Sequence, residues 1–172
     1  MMNKVFEIIE AKNIFNISYD KLDILTHPSS YIHAIVKFKD GLTKIILHDT
    51  TMKIPICNTL YLNENKIYNS NKLNINILNN LNLKKIDLKK FPLVKIINMM
   101  PKKISLFETV IVAANDKIVE AYLNGKIRFD EIHSRLIEFI NNNEFEKYKR
   151  IKPKKIENII NLNKYVRLKI KL

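Results

Sequence analysis

The chain has 172 residues, and its 47% hydrophobic content allows a buried core and excludes an intrinsically disordered protein. The net charge of +13 first suggests nucleic acid or an anionic membrane as a binding partner. However, only 4 of the 30 basic residues are arginine and 22 asparagines accompany the lysines, a bias of AT-rich codons, so charge alone predicts no such partner. The single cysteine, Cys57, excludes an internal disulfide framework, and no apolar run is long enough for a membrane span.

An amphipathic helix is predicted at the start of the chain, over residues 3–16. The residues of its expected buried face recur at spacings of three and four: Val5, Ile8, Ala11 and Phe15. Asn3 is the predicted N-cap, because an asparagine side chain accepts hydrogen bonds from the unpaired amides of a first helical turn.

The pattern then changes to the alternation that is typical of β-strands. Residues 22–27 predict a short strand, and residues 31–38 and 42–48 predict two strands that pair around a two-residue turn, Asp40-Gly41. The expected apolar face of the middle strand consists of Ile32, Ala34, Val36 and Phe38. At least part of the sheet is therefore expected to be antiparallel.

Helices dominate the remainder. Residues 51–62 predict a helix that Pro55 disturbs or restarts, and the asparagine-rich residues 63–82 predict a linker, although their alternation is also compatible with a strand. Four further helices are predicted, in residues 91–100, 105–125, 128–143 and 153–169. Gly125 is the predicted C-cap of the second of these. Short connections favour an antiparallel helical bundle.

These elements predict an α+β fold. A small, partly antiparallel sheet with flanking helices is expected in residues 1–62, a linker in residues 63–90 and a C-terminal helical bundle in residues 91–172. The basic residues of the tail, from Lys147 to Lys171, are expected to form a solvated helix face rather than a binding arm.

Two blocks of sequence carry a family resemblance. The first, MMNKVFEIIEAKNIFN in residues 1–16, matches a run Met-Met-Asn-Lys-Gly-Leu-Glu that is followed by Ile-Glu-Ala and Phe-Asn. The second, HPSSYIHAIVKFKDG in residues 27–41, matches a His-Pro-x-Ser-x-x-His strand with its Asp-Gly turn. Weaker matches follow in the same order up to about residue 143. In these blocks the chain resembles the 1-deoxy-D-xylulose 5-phosphate reductoisomerase family, and the blocks belong to part of its catalytic and dimerisation domain.

The resemblance implies a reaction and a set of site residues. The family rearranges a five-carbon sugar phosphate and reduces the product with NADPH, and Mg2+ or Mn2+ polarises the substrate. By position, Asn3, Lys4 and Glu7 correspond to substrate-binding residues, Lys4 and Glu7 to catalytic residues, and Glu7 to the carboxylate ligand of the metal. A helix start and a lysine suit a phosphate, and carboxylate oxygens suit these hard cations. The resemblance also implies that His33 lies on the substrate side.

The residues by themselves leave simpler interpretations open. Glu7 is then a solvated first-turn acid that the helix dipole favours, Lys4 a surface lysine and Asn3 only a cap. His27 is a turn residue and His33 an edge-strand residue. A site made of His27, His33 and Glu7 would have the two-histidine, one-carboxylate composition of some iron sites, but its histidine spacing is not that of helical ligands.

Departures from the family pattern limit the expected activity. Val5 stands where the family has glycine, which predicts crowding of the backbone beside the substrate. Gly41 and Gly125 are the only glycines, so the sequence contains no glycine-rich dinucleotide-binding turn and no cofactor-binding residues for NADPH. The resemblance therefore implies a C-terminal portion with an incomplete metal site, inactive alone, whose Met1 aligns with an internal methionine of the family.

The expected partners follow from the same resemblance. They are the sugar-phosphate substrate and either a second copy in a homodimer or the missing N-terminal half; neither nucleic acid nor a membrane is expected. The expected location is the cytoplasm, or a plastid. Two other functions stay open: a non-catalytic remnant or dimerisation module of the family, and a basic nucleic-acid-binding protein, whose affinity would fall steeply with salt.

Overall fold

Helix α1 spans Met2–Phe15 and confirms the predicted N-terminal helix. Asn16 ends it in the left-handed conformation, with φ 50° and ψ 44°, which asparagine adopts more readily than most residues. The predicted capping role of Asn3 is wrong: the helix begins after Met1, so Asn3 already lies inside the first turn. The computed structural model describes residues 1–61, 71–72 and 74–171.

The buried face of α1 differs from the predicted one. Its buried residues are Val5, Ile8, Ile9 and Lys12. Ala11 is half-buried and Phe15 is 70% exposed, so the apolar stripe turns away from the core before the helix ends. Sequence spacing located the stripe but could not distinguish Phe15 from Lys12, because both lie near its edge.

The chain divides into two units by internal contacts. One, here called the helical unit, consists of Met1–Ile24 and Asp87–Leu172; the other, the hairpin unit, is Leu25–Ile86. Contacts thus group α1 with the C-terminal helices. The predicted domain boundaries at residues 62 and 90 concern the organisation of the whole family protein and stay predictions. Part of the predicted linker, residues 63–70 and 73, lies outside the described residues.

The described residues of the hairpin unit form short strands and two helices. In chain order these are β1 Leu25–Thr26, β2 Ile32–Lys37, β3 Thr43–Leu47, α2 Lys53–Leu60, α3 Ile75–Asn79 and β4 Lys84–Lys85. Strand β2 pairs antiparallel with β3, and β1 pairs antiparallel with β4, so the predicted antiparallel pairing is confirmed. Pro55 does not disturb α2, because it lies in the first turn, where no intrahelical amide donor is required.

The loop between β2 and β3 is longer than predicted. The amide of Phe38 donates to the carbonyl of Leu42 at 2.8 Å, which leaves the three residues 39–41 in the loop. Gly41 donates to the carbonyl of Phe38 at 3.2 Å and has φ 91°. This is a three-residue hairpin loop in which glycine supplies the left-handed bulge residue. The predicted hairpin is confirmed, whereas its two-residue turn is wrong.

The predicted apolar face of β2 is only partly covered. Ile32 and Ala34 are half-buried, whereas Val36 and Phe38 are 42% and 41% exposed. An isolated two-stranded ribbon buries little apolar surface by itself, which explains the exposure near its turn.

The helical unit is built around one central helix. Its remaining elements are the 3-10 segment Tyr19–Lys21, the 3-10 helix Pro92–Met99, α4 Phe107–Leu123, α5 Glu131–Ile140, α6 Asn143–Glu146, the 3-10 segment Lys147–Arg150 and α7 Ile156–Lys169. Helix α4 packs against α5 and α7, and α1 packs against the 3-10 helix. The first predicted helix of the bundle is therefore a 3-10 helix, while the other three are confirmed.

Gly125 ends α4 as predicted. Its φ is 69°, and its amide donates to the carbonyl of Tyr122 at 2.9 Å, while the amide of Lys126 donates to the carbonyl of Ala121 at 2.9 Å. This pair of bonds is a Schellman motif, which favours glycine at the left-handed position. In the part of the chain that the structure describes, no helix is both long and apolar enough to cross a membrane.

Candidate substrate and metal site

The first turn of α1 brings together the three residues that the sequence singled out there. The Lys4 Nζ lies 2.6 Å from the Glu7 Oε2, and the Asn3 Nδ2 donates to the Glu7 Oε1 at 3.3 Å. About half of the Lys4 and Glu7 side chains is exposed. The spacing of three and four residues along a helix accounts for this arrangement. A lysine, an amide and a carboxylate thus share one accessible helix end.

Burial of the opposite side of α1 orients this turn. Val5 is 0% exposed and packs in the core of the helical unit, together with Ile8 and Ile9. The side chain of Val5 therefore lies in the core, and its predicted crowding of the backbone beside a ligand stays a prediction. Lys4 and Glu7 remain exposed, because the neighbouring Val5 fixes the rotation of the helix.

The first turn of α1 offers one carboxylate, that of Glu7, to a metal ion. Glu7 is the only residue of the three with an anionic oxygen, which is the ligand type that Mg2+ and Mn2+ prefer. Within residues 1–61, 71–72 and 74–171, no group of three or more His, Cys, Asp and Glu residues could hold a metal ion. Glu7 therefore fits one position of a metal shell, and these residues do not supply the others.

The His27 side chain makes hydrogen bonds within its own turn. Its Nε2 accepts hydrogen bonds from the amides of Tyr31 at 2.6 Å and Ile32 at 2.8 Å, and its Nδ1 lies 3.0 Å from the Ser29 Oγ. An Nε2 that accepts two amides has no lone pair left for a metal. The geometry thus agrees with the simpler interpretation of His27 as a turn residue and opposes its use as a ligand.

His33 lies on β2, in the hairpin unit, with an exposed side chain. Its ring stacks on that of His48, with 3.5 Å between the ring centroids and 3° between the planes, and its Nε2 lies 3.2 Å from the carbonyl oxygen of His48. The predicted substrate-binding role of His33 stays a prediction.

Sequence reasoning missed a buried polar group in the helical unit. Lys12 is only 5% exposed, and its Nζ lies 3.7 Å from the Glu108 Oε1 and 5.5 Å from the centroid of the Tyr19 ring. Burial, and then the charge of Glu108, raise the pKa of Tyr19 to about 12. The one available signal was the position of Lys12, four residues after Ile8 on the buried face of α1.

Comparison with known proteins agrees with these features. Residues 47–169 match the model of the DXP reductoisomerase C-terminal domain. The 1-deoxy-D-xylulose 5-phosphate reductoisomerase of Pelagibacter ubique is 57% identical over 170 residues, which are 99% of this chain and 44% of that enzyme. The enzyme of a Sulfurihydrogenibium species is 36% identical over 147 residues, which are 86% of this chain and 39% of its own length. The chain thus spans less than half the length of these relatives.

Solved structures give the same result. A crystal structure of DOX-P reductoisomerase in complex with NADPH, fosmidomycin and magnesium has a TM-score of 0.85 and 26% identity, covering 98% of this chain and 42% of that one. The enzyme from Zymomonas mobilis in complex with NADPH has a TM-score of 0.80 and 27% identity, covering 98% and 43%. The chain therefore belongs to the 1-deoxy-D-xylulose 5-phosphate reductoisomerase family and corresponds to the family's C-terminal domain together with the helix and strands that precede it.

Proposed function

We propose that this chain supplies the α1 corner of the active site of a 1-deoxy-D-xylulose 5-phosphate reductoisomerase. In that enzyme Asn3 and Lys4 bind the sugar-phosphate substrate, and Glu7 contributes one carboxylate to the divalent metal. The observation that carries the proposal is the accessible cluster in the first turn of α1, where Lys4 lies 2.6 Å from Glu7. The relative crystallised with NADPH, fosmidomycin and magnesium, at a TM-score of 0.85, supports it.

The ion pair between Lys4 and Glu7 suggests how the site stays balanced without ligands. Each side chain neutralises the other while the turn is open to water. When the substrate and the metal bind, Lys4 exchanges the carboxylate of Glu7 for the phosphate. Glu7 exchanges the ammonium group of Lys4 for the metal cation. The exchange leaves neither charge unpaired, which avoids the cost of an isolated ion in a closed site. Asn3, which donates to Glu7 at 3.3 Å, can hold the carboxylate in place meanwhile.

The start of α1 adds a second attraction for the phosphate. In the described residues no side chain caps this helix end, so amides of its first turn are available to an anion. The helix dipole favours negative charge there, and Lys4 adds a full positive charge. His33 is the proposed further residue on the substrate side. The residues that bind NADPH and the other ligands of Mg2+ or Mn2+ lie outside the described residues. The expected location of the protein is the cytoplasm or a plastid.

An alternative function is a dimerisation module that has no catalytic activity. The hairpin unit favours it, because four aliphatic side chains of the β2–β3 hairpin are exposed: Ile35, Val36, Ile45 and Ile46. Ile35 and Ile45 lie on one face of the ribbon, and Val36 and Ile46 lie on the other. Exposed apolar side chains of this kind are typical of a protein interface. A second copy of the chain is the expected partner, and self-association would then persist without substrate or metal binding.

The test joins this chain to the part that it lacks relative to its relatives. The preceding segment of the Pelagibacter ubique enzyme is fused to Met1, and NADPH oxidation is followed at 340 nm with 1-deoxy-D-xylulose 5-phosphate and Mg2+. We expect the fusion to be active and the 172-residue chain alone to be inactive. Glu7→Gln in the fusion should lower kcat/KM by about a hundredfold or more, because it removes one anionic ligand of the metal that polarises the substrate.

Glu10→Gln is the matched control, since Glu10 is an exposed acid on the same helix and should leave the rate unchanged. A folded fusion that oxidises no NADPH would favour the dimerisation module, which analytical ultracentrifugation of the 172-residue chain then tests. An active fusion in which Glu7→Gln has no effect would refute the role of Glu7 while leaving the family reaction intact.

A further inference from the structure

The helical unit contains a strongly basic cleft at the other end of α1. Its volume is about 680 Å3, and six of its eleven lining residues are basic: Lys12, Lys102, Lys103, Lys149, Arg150 and Lys152. None of the lining residues is acidic. Three segments that are distant in sequence supply them, namely the end of α1, the segment before α4 and the 3-10 segment Lys147–Arg150 with the residues after it. The concentration of charge is therefore a product of the fold, beyond the general lysine bias of the chain.

Several of these charges have partners elsewhere. Lys12 lies 3.7 Å from the half-buried Glu108, and the Lys149 Nζ lies 2.7 Å from the Glu146 Oε2. The pKa of Asp20 is lowered chiefly by its hydrogen bond with Ser18, and the charge of Lys102 makes a small further contribution. The other three basic residues of the cleft, Lys103, Arg150 and Lys152, make no ion pair among the residues that the structure describes. Three unpaired cations thus face one concave surface, and their mutual repulsion is relieved when an anion binds.

We infer that this basic cleft binds a small organic diphosphate or triphosphate. A volume of about 680 Å3 lies within the range of small-molecule sites. Arg150 offers a planar fork that suits phosphate oxygens, and Lys103 and Lys152 add point charges. Three apolar residues also line the cleft, Ile17, Pro101 and Ile104, and they offer contact to the organic body of such a ligand.

The place of the cleft separates it from the first turn of α1. Lys12 follows Asn3 by nine positions, and a rise of about 1.5 Å per residue puts the two about 13 Å apart along the helix axis. The last turn of a helix carries a partial negative charge, which Lys12 in that turn offsets. The cleft therefore depends on its own lysines and Arg150, and its ligand does not compete for Lys4 or Glu7.

Isothermal titration calorimetry of the 172-residue chain in 150 mM salt tests the inference. The probes are inorganic phosphate, pyrophosphate and ADP, and we expect affinity to rise in that order, since added phosphate charge and then an apolar body engage the cleft. Lys103→Ala with Arg150→Ala should weaken pyrophosphate binding about tenfold or more. Lys154→Ala with Lys164→Ala is the control: it removes the same charge from exposed positions outside the cleft and should change affinity less than about twofold.

Two further variants keep the test decisive. Lys102→Ala with Lys152→Ala should reproduce the loss, and circular dichroism shows whether either cleft variant is folded. Lys4→Ala removes the phosphate-binding residue proposed for α1, so the pyrophosphate binding that remains in this variant reports on the cleft, and Lys103→Ala with Arg150→Ala should still weaken it about tenfold or more. Four outcomes would overturn the inference. The cleft and control pairs could lose affinity equally, or Lys4→Ala alone could lose it. The chain could also fail to bind pyrophosphate, or bind ADP no more tightly than pyrophosphate.

Discussion

The Lys12 Nζ lies 3.7 Å from the Glu108 Oε1 where α1 meets the start of α4, and the two side chains are only 6% and 12% exposed. The Glu108 Oε2 accepts a hydrogen bond from the amide of Ser105 at 3.0 Å, and the Ser105 Oγ accepts one from the amide of Phe107 at 3.2 Å. This reciprocal pair resembles a capping box at the start of α4. Burial raises the pKa of Glu108, while the Ser105 amide and the Lys12 charge oppose that rise.

The first prediction concerns this pair of buried charges. Glu108→Gln should lower the free energy of unfolding by about 2–4 kcal/mol at pH 7, because it leaves the ammonium group of Lys12 buried without a counter-charge. Lys12→Met should cost less, since Glu108 can take up a proton in place of its partner. Urea denaturation followed by circular dichroism measures both.

The double variant is the decisive control for the pair. Lys12→Met with Glu108→Gln should be more stable than the sum of the two single losses predicts, because neither charge then stays buried alone. Strict additivity of the three measurements would show that the two charges do not interact.

The second prediction concerns alkaline stability and Tyr19. Burial first, and then the charge of Glu108, raise the pKa of Tyr19 from 10.0 to about 12. Because the folded-state pKa is raised, the stabilising contribution is complete below pH 10 and is lost as pH rises through about 12. Tyr19→Phe should therefore lose less stability than the wild type between pH 10 and pH 12, as measured by urea midpoints at each pH.

Tyr122→Phe provides the comparison for Tyr19, since Tyr122 is an exposed tyrosine of the same unit. That variant should follow the wild-type pH profile in this range. Parallel profiles for the wild type and Tyr19→Phe would mean that ionisation of Tyr19 is not linked to folding.

The third prediction concerns the end of α4. Gly125 has φ 69° and no atom lies within 4 Å of the position of a Cβ, so a side chain there meets backbone strain rather than a steric clash. Gly125→Ala should destabilise the helical unit by about 1 kcal/mol, and Gly125→Asn by less, because asparagine tolerates the left-handed conformation. Thermal unfolding by calorimetry ranks the three proteins, and an equal loss in both variants would contradict this explanation.

Local patterns predicted most of the helices and the hairpin. Helix α4 and its Schellman end at Gly125 were predictable because helical periodicity and a glycine stop are contained in one short stretch. The arrangement of Lys4 and Glu7 was also predictable, since a spacing of three residues puts both on one helix face.

Features that depend on distant residues were not predictable. Lys12 and Glu108 are 96 positions apart, and no pattern in either helix indicates that they meet. The basic cleft likewise combines three segments, and its lysines look like solvated surface residues in each segment alone. The predicted length of the loop at Gly41 was wrong for a related reason. An Asp-Gly pair suits both two- and three-residue loops, and strand pairing decides between them.

The fourth prediction concerns His27, whose Nε2 accepts from the amides of Tyr31 and Ile32 at 2.6 and 2.8 Å. His27→Ala leaves both amides without this acceptor, so their hydrogen exchange should accelerate, and the hairpin unit should lose about 1–3 kcal/mol. His27→Gln should retain part of the protection, because its side-chain carbonyl can accept one of the two bonds. Ser29→Ala, which removes only the neighbour of Nδ1, should have a smaller effect. Unchanged exchange at Tyr31 and Ile32 in His27→Ala would show that the ring does not organise this turn.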